Sequence, residues 1–164
     1  MSASAVVSRA DPVHPLVFQV NGGYVKRLSP AATLDLGIIH SRYSRHSSVG
    51  AGLTLTELYV GMSHKFLTSR VYLSPHYFGP GEWTVYGEVD GHVAIGRNLG
   101  LHGHVGALVP AGDRQGGGRR ARTGYDWRLG LQRQIGPASL HATLSGGNRG
   151  RDRGTLTFGI GLPL

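Results

Sequence analysis

Residues 82–110 read EWTVYGEVDGHVAIGRNLGLHGHVGALVP. In the first half, Trp83, Val85, Val89, Val93 and Ile95 share one parity, and Thr84, Tyr86, Glu88, Asp90, His92 and Ala94 the other. Strand side chains alternate every two residues, whereas helical ones repeat every 3.6, so this separation specifies a strand. Beyond Gly96, Arg97 and Asn98 the same rule sets Leu99, Leu101, Val105, Ala107 and Val109 against His102, His104 and Leu108. The stretch is therefore a hairpin with arms of roughly 10 residues, the length a tilted strand needs to cross a bilayer. An antiparallel sheet in water, packed on one face, carries the same alternation.

The pattern continues on both sides of the hairpin. Upstream, strands are predicted from about Leu16 to Leu28, around Leu34, Leu36 and Ile38, over residues 53–65, where Thr56, Leu58, Val60 and Met62 oppose Glu57, Tyr59 and Ser63, and over 68–78. Downstream, Tyr125, Trp127, Leu129 and Leu131 oppose Asp126, Arg128, Gly130 and Gln132; further strands follow over 138–146 and 155–164. No helical period separates successive strands, which excludes an α/β fold. Residues 1–14, small and polar with Pro12, read as a disordered or loosely attached tail, and 15–164 as the barrel domain. Within it AGDRQGGGRRAR, about 111–122, reads as an exposed loop.

Composition narrows the class. Charged residues make up 16% of the 164, below the roughly 25% of ordinary soluble domains, and the apolar fraction is 40%. The 27 glycines follow no collagen period and suit a sheet whose strands approach closely. With no cysteine, disulfides and thiolate chemistry are unavailable. The net charge of +8 gathers partly at Arg119, Arg120, Arg122, Arg149, Arg151 and Arg153, in Gly-rich text without a recognition helix, so no nucleic-acid partner is expected. No apolar window is long enough for a spanning helix, and MSASAVVSRADPVHP lacks the basic region and apolar run of a signal peptide.

These observations predict an all-β fold, an antiparallel up-and-down transmembrane β-barrel. About eight strands are legible, which fits a small barrel or part of a larger, truncated one. On that reading Val85, Val89, Val93, Leu101, Val105, Trp127, Leu129, Leu131, Leu140 and Leu144 face lipid. Glu57, Arg70, Glu88, Asp90, His92, His102, His104, Asp126, Arg128 and His141 line the lumen, where they can pair with one another. His92, His102 and His104 beside Glu88 and Asp90 are ligand types for a metal, but a polar lumen cluster accounts for them more simply, so no metal or cofactor is expected. Ser74, His76 and Asp90 could supply a hydrolase triad, yet no nucleophile elbow surrounds the serine, and no enzyme activity is expected.

TELYVGMSHKF (56–66), SRVYLSPHYFG (69–79) and YDWRLGLQRQIGPASLHATLSG (125–146) together resemble the TorF-family porins. The matching positions are Thr56, Glu57, Leu58 and Tyr59, then Tyr72 and Tyr77, then Tyr125, Asp126, Trp127, Leu129 and Gly130. The likeness runs over roughly residues 20–164; the family's N-terminal part has no counterpart. The resemblance implies a Gram-negative outer-membrane location, contact with outer-membrane lipid and lipopolysaccharide, and passive passage of small polar solutes or ions. Two alternatives stay open: a non-conducting structural or adhesion barrel in the outer membrane, and a soluble β-barrel binding a small apolar ligand.

Overall fold

A computed structural model describes residues 2–8, 14–44, 53–77, 83–112, 122–148 and 154–161. Among the described residues ten strands follow one another: β1 (Ser2–Ser8), β2 (His14–Ser29), β3 (Ala32–Tyr43), β4 (Thr54–His64), β5 (Leu67–Ser74), β6 (Thr84–Gly96), β7 (Leu99–Pro110), β8 (Gly124–Ile135), β9 (Ala138–Gly147) and β10 (Thr155–Gly161). They form one sheet in sequence order, and every pairing is antiparallel.

At one end of the sheet, two-residue turns join β2 to β3, β4 to β5, β6 to β7 and β8 to β9. In two of these turns Lys65 (φ 50°) and Gly136 (φ 56°) take the left-handed conformation. All the longer connections lie at the opposite end. There the buried side chains of Ser41, Leu55, Ser74, Thr84 and Leu108 form a band across β3 to β7.

The register extends the alternation of single strands into two continuous faces. On one face Leu36, Val60 and Val71 stand in line, as do Val89, Val105 and Trp127, and Leu129, Leu144 and Leu156. Much of this face is exposed, with Val105 at 58% and Phe158 at 74%. On the other face lie Asp35, Glu57, Glu88, Asp90 and Asp126 with His92, His102, His104, Tyr59, Tyr72 and Tyr86, and His104 is only 6% exposed.

This topology corrects the closed transmembrane barrel. β1 and β10 are the two edges of an open sheet, and no pairing among the described residues joins them. Alternation and strand length tell which face a side chain takes, but closure depends on strand number, tilt and stagger together. Expectations that rested on closure fall with it. Passage of solutes needs an enclosed lumen, so porin function and transport are withdrawn. An open edge in hydrocarbon would carry unpaired N–H and C=O groups, each costing several kcal/mol by order of magnitude. Contacts with outer-membrane lipid and lipopolysaccharide, an outer-membrane location and a non-conducting outer-membrane barrel are withdrawn for that reason.

The N-terminal segment also departs from expectation. Ser2–Ser8 is not a loose tail but a strand, paired with β2 from Ser2 opposite Asn21 to Ser8 opposite His14. The loop expected at about 111–122 lies largely outside the described residues, which resume at Arg122.

Candidate cation site on the polar face

Register brings the central residues of the polar face together. His104 on β7 stands directly opposite Asp90 on β6 and Arg128 on β8, while Gly106 stands opposite Glu88 and Asp126. Because Gly106 has no side chain, the Tyr86 phenol lies across β7. An added methyl group there would collide with the Tyr86 hydroxyl and ring. Tyr86 thereby reaches two strands over and donates to the Asp126 carboxylate at 3.1 and 3.2 Å.

Both nitrogens of the buried His104 ring face carboxylates. Nδ1 lies 2.8 Å from Asp90 Oδ1 and Nε2 lies 2.9 Å from Asp126 Oδ1. Tyr72 donates to Glu88 Oε1 at 2.7 Å, and Arg128 Nη2 stands 3.9 Å from Asp90. Each phenol is thus bound to a carboxylate of the cluster. Burial first, and then the Glu88 hydrogen bond and charge, push the Tyr72 phenol well above its ordinary range. Burial followed by the Asp126 charge and hydrogen bond does the same to Tyr86.

Ligand atoms of Glu88, Asp90 and His104 all lie within 4.8 Å of one another. Donors that share one cation at about 2.0–2.6 Å stand some 3–5 Å apart, so the three need little rearrangement to converge. Asp126 would keep the Nε2 proton and orient the ring, leaving Nδ1 to the ion, which is the carboxylate–histidine–metal arrangement of known metal sites. The face is also acidic at its centre. Asp35, Glu57, Glu88, Asp90 and Asp126, five of the nine carboxylates, share it with Arg27, Arg70 and Arg128 of the strands.

All ten residues expected to line a lumen occur on this face, but they do not form one site. Glu88, Asp90, His104, Asp126 and Arg128 meet as described. Arg70 instead donates from Nε to Asp35 Oδ2 at 3.2 Å; burial works against its charge, but Asp35 outweighs burial and raises its pKa. His102 lies over Gly130 and bonds Thr143 at 3.3 Å. His92 faces His102 across the ladder but is exposed, His141 lies over Gly159, and Glu57 stands apart. The ten residues expected to face lipid are on the other face, where Val89, Val93, Val105, Leu129, Leu131, Leu140 and Leu144 are exposed and Val85, Leu101 and Trp127 half-buried.

Sequence reasoning overlooked Asp35 and Tyr86 as site residues. The signal for Tyr86 was Gly106, a gap between two carboxylate positions. The serine, histidine and aspartate considered for a triad are separate: the buried Ser74 hydroxyl donates to the Thr56 carbonyl at 3.4 Å, and Asp90 is engaged by His104.

Compared with known proteins, the chain matches no curated protein and no solved structure. A family model does match, over residues 2–146, and its description assigns no activity. This corrects the identification with TorF-family porins. The Thr-Glu-Leu-Tyr and Tyr-Asp-Trp runs specify strands with one apolar and one polar face, and that property is common to antiparallel sheets of many functions. Porin identity does not come with the match. Covering most of the chain, it places this protein in the Gcw_chp family, described as bacterial protein of unknown function.

Proposed function

We propose that this chain is a binding domain whose polar face holds a divalent cation between Glu88, Asp90 and His104. The observation that carries the reading is the convergence of one buried imidazole and two carboxylates within 4.8 Å. It is supported by the hydroxyl of Tyr72 on Glu88 and by Asp126 on the far nitrogen of His104. A mixed nitrogen and carboxylate set suits Mn²⁺ or Zn²⁺ better than Ca²⁺, which takes six to eight oxygens. The reading is one of binding without catalysis, since the groups that could move protons are engaged in holding one another.

Calorimetric titration of the full chain with Mn²⁺ and with Zn²⁺ tests it. One saturable site is expected, lost in His104→Ala and weakened about 10–100-fold in Asp126→Asn, the usual cost of removing an outer partner. No saturable heat with either ion, or unchanged affinity in His104→Ala, sinks the proposal.

A second reading, binding of a small apolar ligand, draws on one feature of the opposite face. Gly91 and Gly103 face each other and leave a recess of about 420 Å³ beside Val89, Val105, Trp127 and Leu129. The recess is shallow and open rather than enclosed, which favours the polar face.

A further inference from the structure

Where β6 turns into β7, a recess of about 320 Å³ opens beside the polar face. Its walls are His92 on β6, Arg97 and Asn98 in the turn, His102 on β7, and Gln132 and Gln134 on β8. Gly100 forms the floor, opposite Ala94 on β6 and Gln132 on β8. Several other glycines of this face lie under a side chain: Gly37 under Tyr59, Gly106 under Tyr86, Gly130 under His102 and Gly159 under His141. A methyl group added at Gly100 would meet only the Val93 and Gln132 carbonyl oxygens, at 3.9 and 4.0 Å. That floor therefore opens directly into the recess.

The walls are fixed by bonds of their own. The Gln134 backbone N–H donates to the Asn98 carbonyl at 2.9 Å and ties the turn to β8. The Gln134 side chain donates from Nε2 to the Gly136 carbonyl at 3.0 Å, and the His102 ring is set by Thr143 at 3.3 Å. A site held this way loses little freedom when a ligand enters.

The lining is rich in donors and contains no carboxylate. The Arg97 guanidinium supplies donors only, the Asn98 and Gln132 carboxamides each carry an NH₂ group, and the His92 imidazole adds a ring N–H. Along β6, Asp90 stands two residues from His92, roughly 7 Å by strand rise, and is engaged by His104 at 2.8 Å. Donors arriving from a turn and two strands match the several outward oxygens of a phosphate, whereas one guanidinium fork already satisfies a planar carboxylate. The volume lies at the small end of ligand sites, which run from about 300 to 1,000 Å³. The recess is open to water, which a hydrated anion tolerates better than an apolar ligand does.

We infer that this recess binds the phosphate group of a small phosphorylated molecule. Arg97 pairs with its charge, and His92, Asn98 and Gln132 donate to its oxygens. The site is separate from the Glu88, Asp90 and His104 cluster and requires no cation there. The net charge of +8 favours the approach of anions from solution.

The test is titration of the full chain, at fixed neutral pH, with sodium phosphate, glycerol 3-phosphate and sodium acetate, each compared with sodium chloride at equal ionic strength. Histidine ring resonances report binding. Saturable shifts of the His92 and His102 rings are expected with both phosphates at about millimolar concentration, with affinity falling roughly tenfold or more in Arg97→Gln. Gly100→Val keeps every donor but raises a side chain from the floor, and is expected to abolish saturation. Valine suits a strand, and an undiminished urea midpoint shows that the sheet is intact. Shifts no larger than those with chloride overturn the inference, as does acetate binding as tightly as phosphate. Unchanged affinity in Arg97→Gln or in folded Gly100→Val also overturns it, because the anion would then be held outside the recess.

Discussion

At Gly106 an added methyl group would meet the Tyr86 hydroxyl and ring, and neither has room to retreat without leaving Asp126. Gly106→Ala is expected to destabilise the fold by about 1–3 kcal/mol, the usual cost of overpacking, seen as a lower urea midpoint. Glu57 gives a prediction of the opposite sign. A raised pKa means that the native state binds more protons than the unfolded chain between the ordinary 4.5 and the folded value. Stability therefore falls as pH rises through that window. Glu57→Gln is expected to raise the urea midpoint at neutral pH and to leave it nearly unchanged below the ordinary carboxyl range. Parity in the sequence put Glu57, Glu88, Asp90, His104 and Asp126 on one face. It did not reveal that Tyr86 meets Asp126 or that Arg70 chooses Asp35, because such partners lie two strands apart and depend on the register of both pairings.

The elements themselves were largely legible. The hairpin over residues 82–110 emerges as β6 and β7, turning at Arg97 and Asn98, with Val89 opposite Val105. β1 was not legible, since SASAVVS is rich in small residues and lacks a clear alternating apolar stripe; its pairing partner β2 supplies what its own sequence does not. Turn chemistry was legible at Gly136–Pro137 and hidden at Lys65, a residue without special preference for positive φ. Gly136→Ala is expected to cost about 1–2 kcal/mol through the left-handed strain of a non-glycine residue. Lys65→Gly, which relieves the same strain, is expected to be neutral or slightly stabilising, and thermal melts of the two variants provide the comparison.

For the whole molecule, alternation left open the question that matters most, since closed barrels and open meanders share the same parity of side chains. The open sheet leaves β10 as an edge, and on it Leu156, Phe158 and Ile160 are 58%, 74% and 71% exposed. An apolar edge with free N–H and C=O groups is a template for pairing with another chain. Concentration-dependent association is expected in sedimentation velocity, and Phe158→Lys is expected to suppress it by placing a charge on that edge. The order of pairing has a consequence for how the chain reaches this state. Among the described residues every strand bonds only to its neighbours in sequence, so these pairings do not wait for distant segments to meet. Such a meander keeps contact order low for an all-β protein. It can close like a zip from any of its tight hairpins, and stripping a terminal strand leaves the remaining ladder intact instead of undoing it.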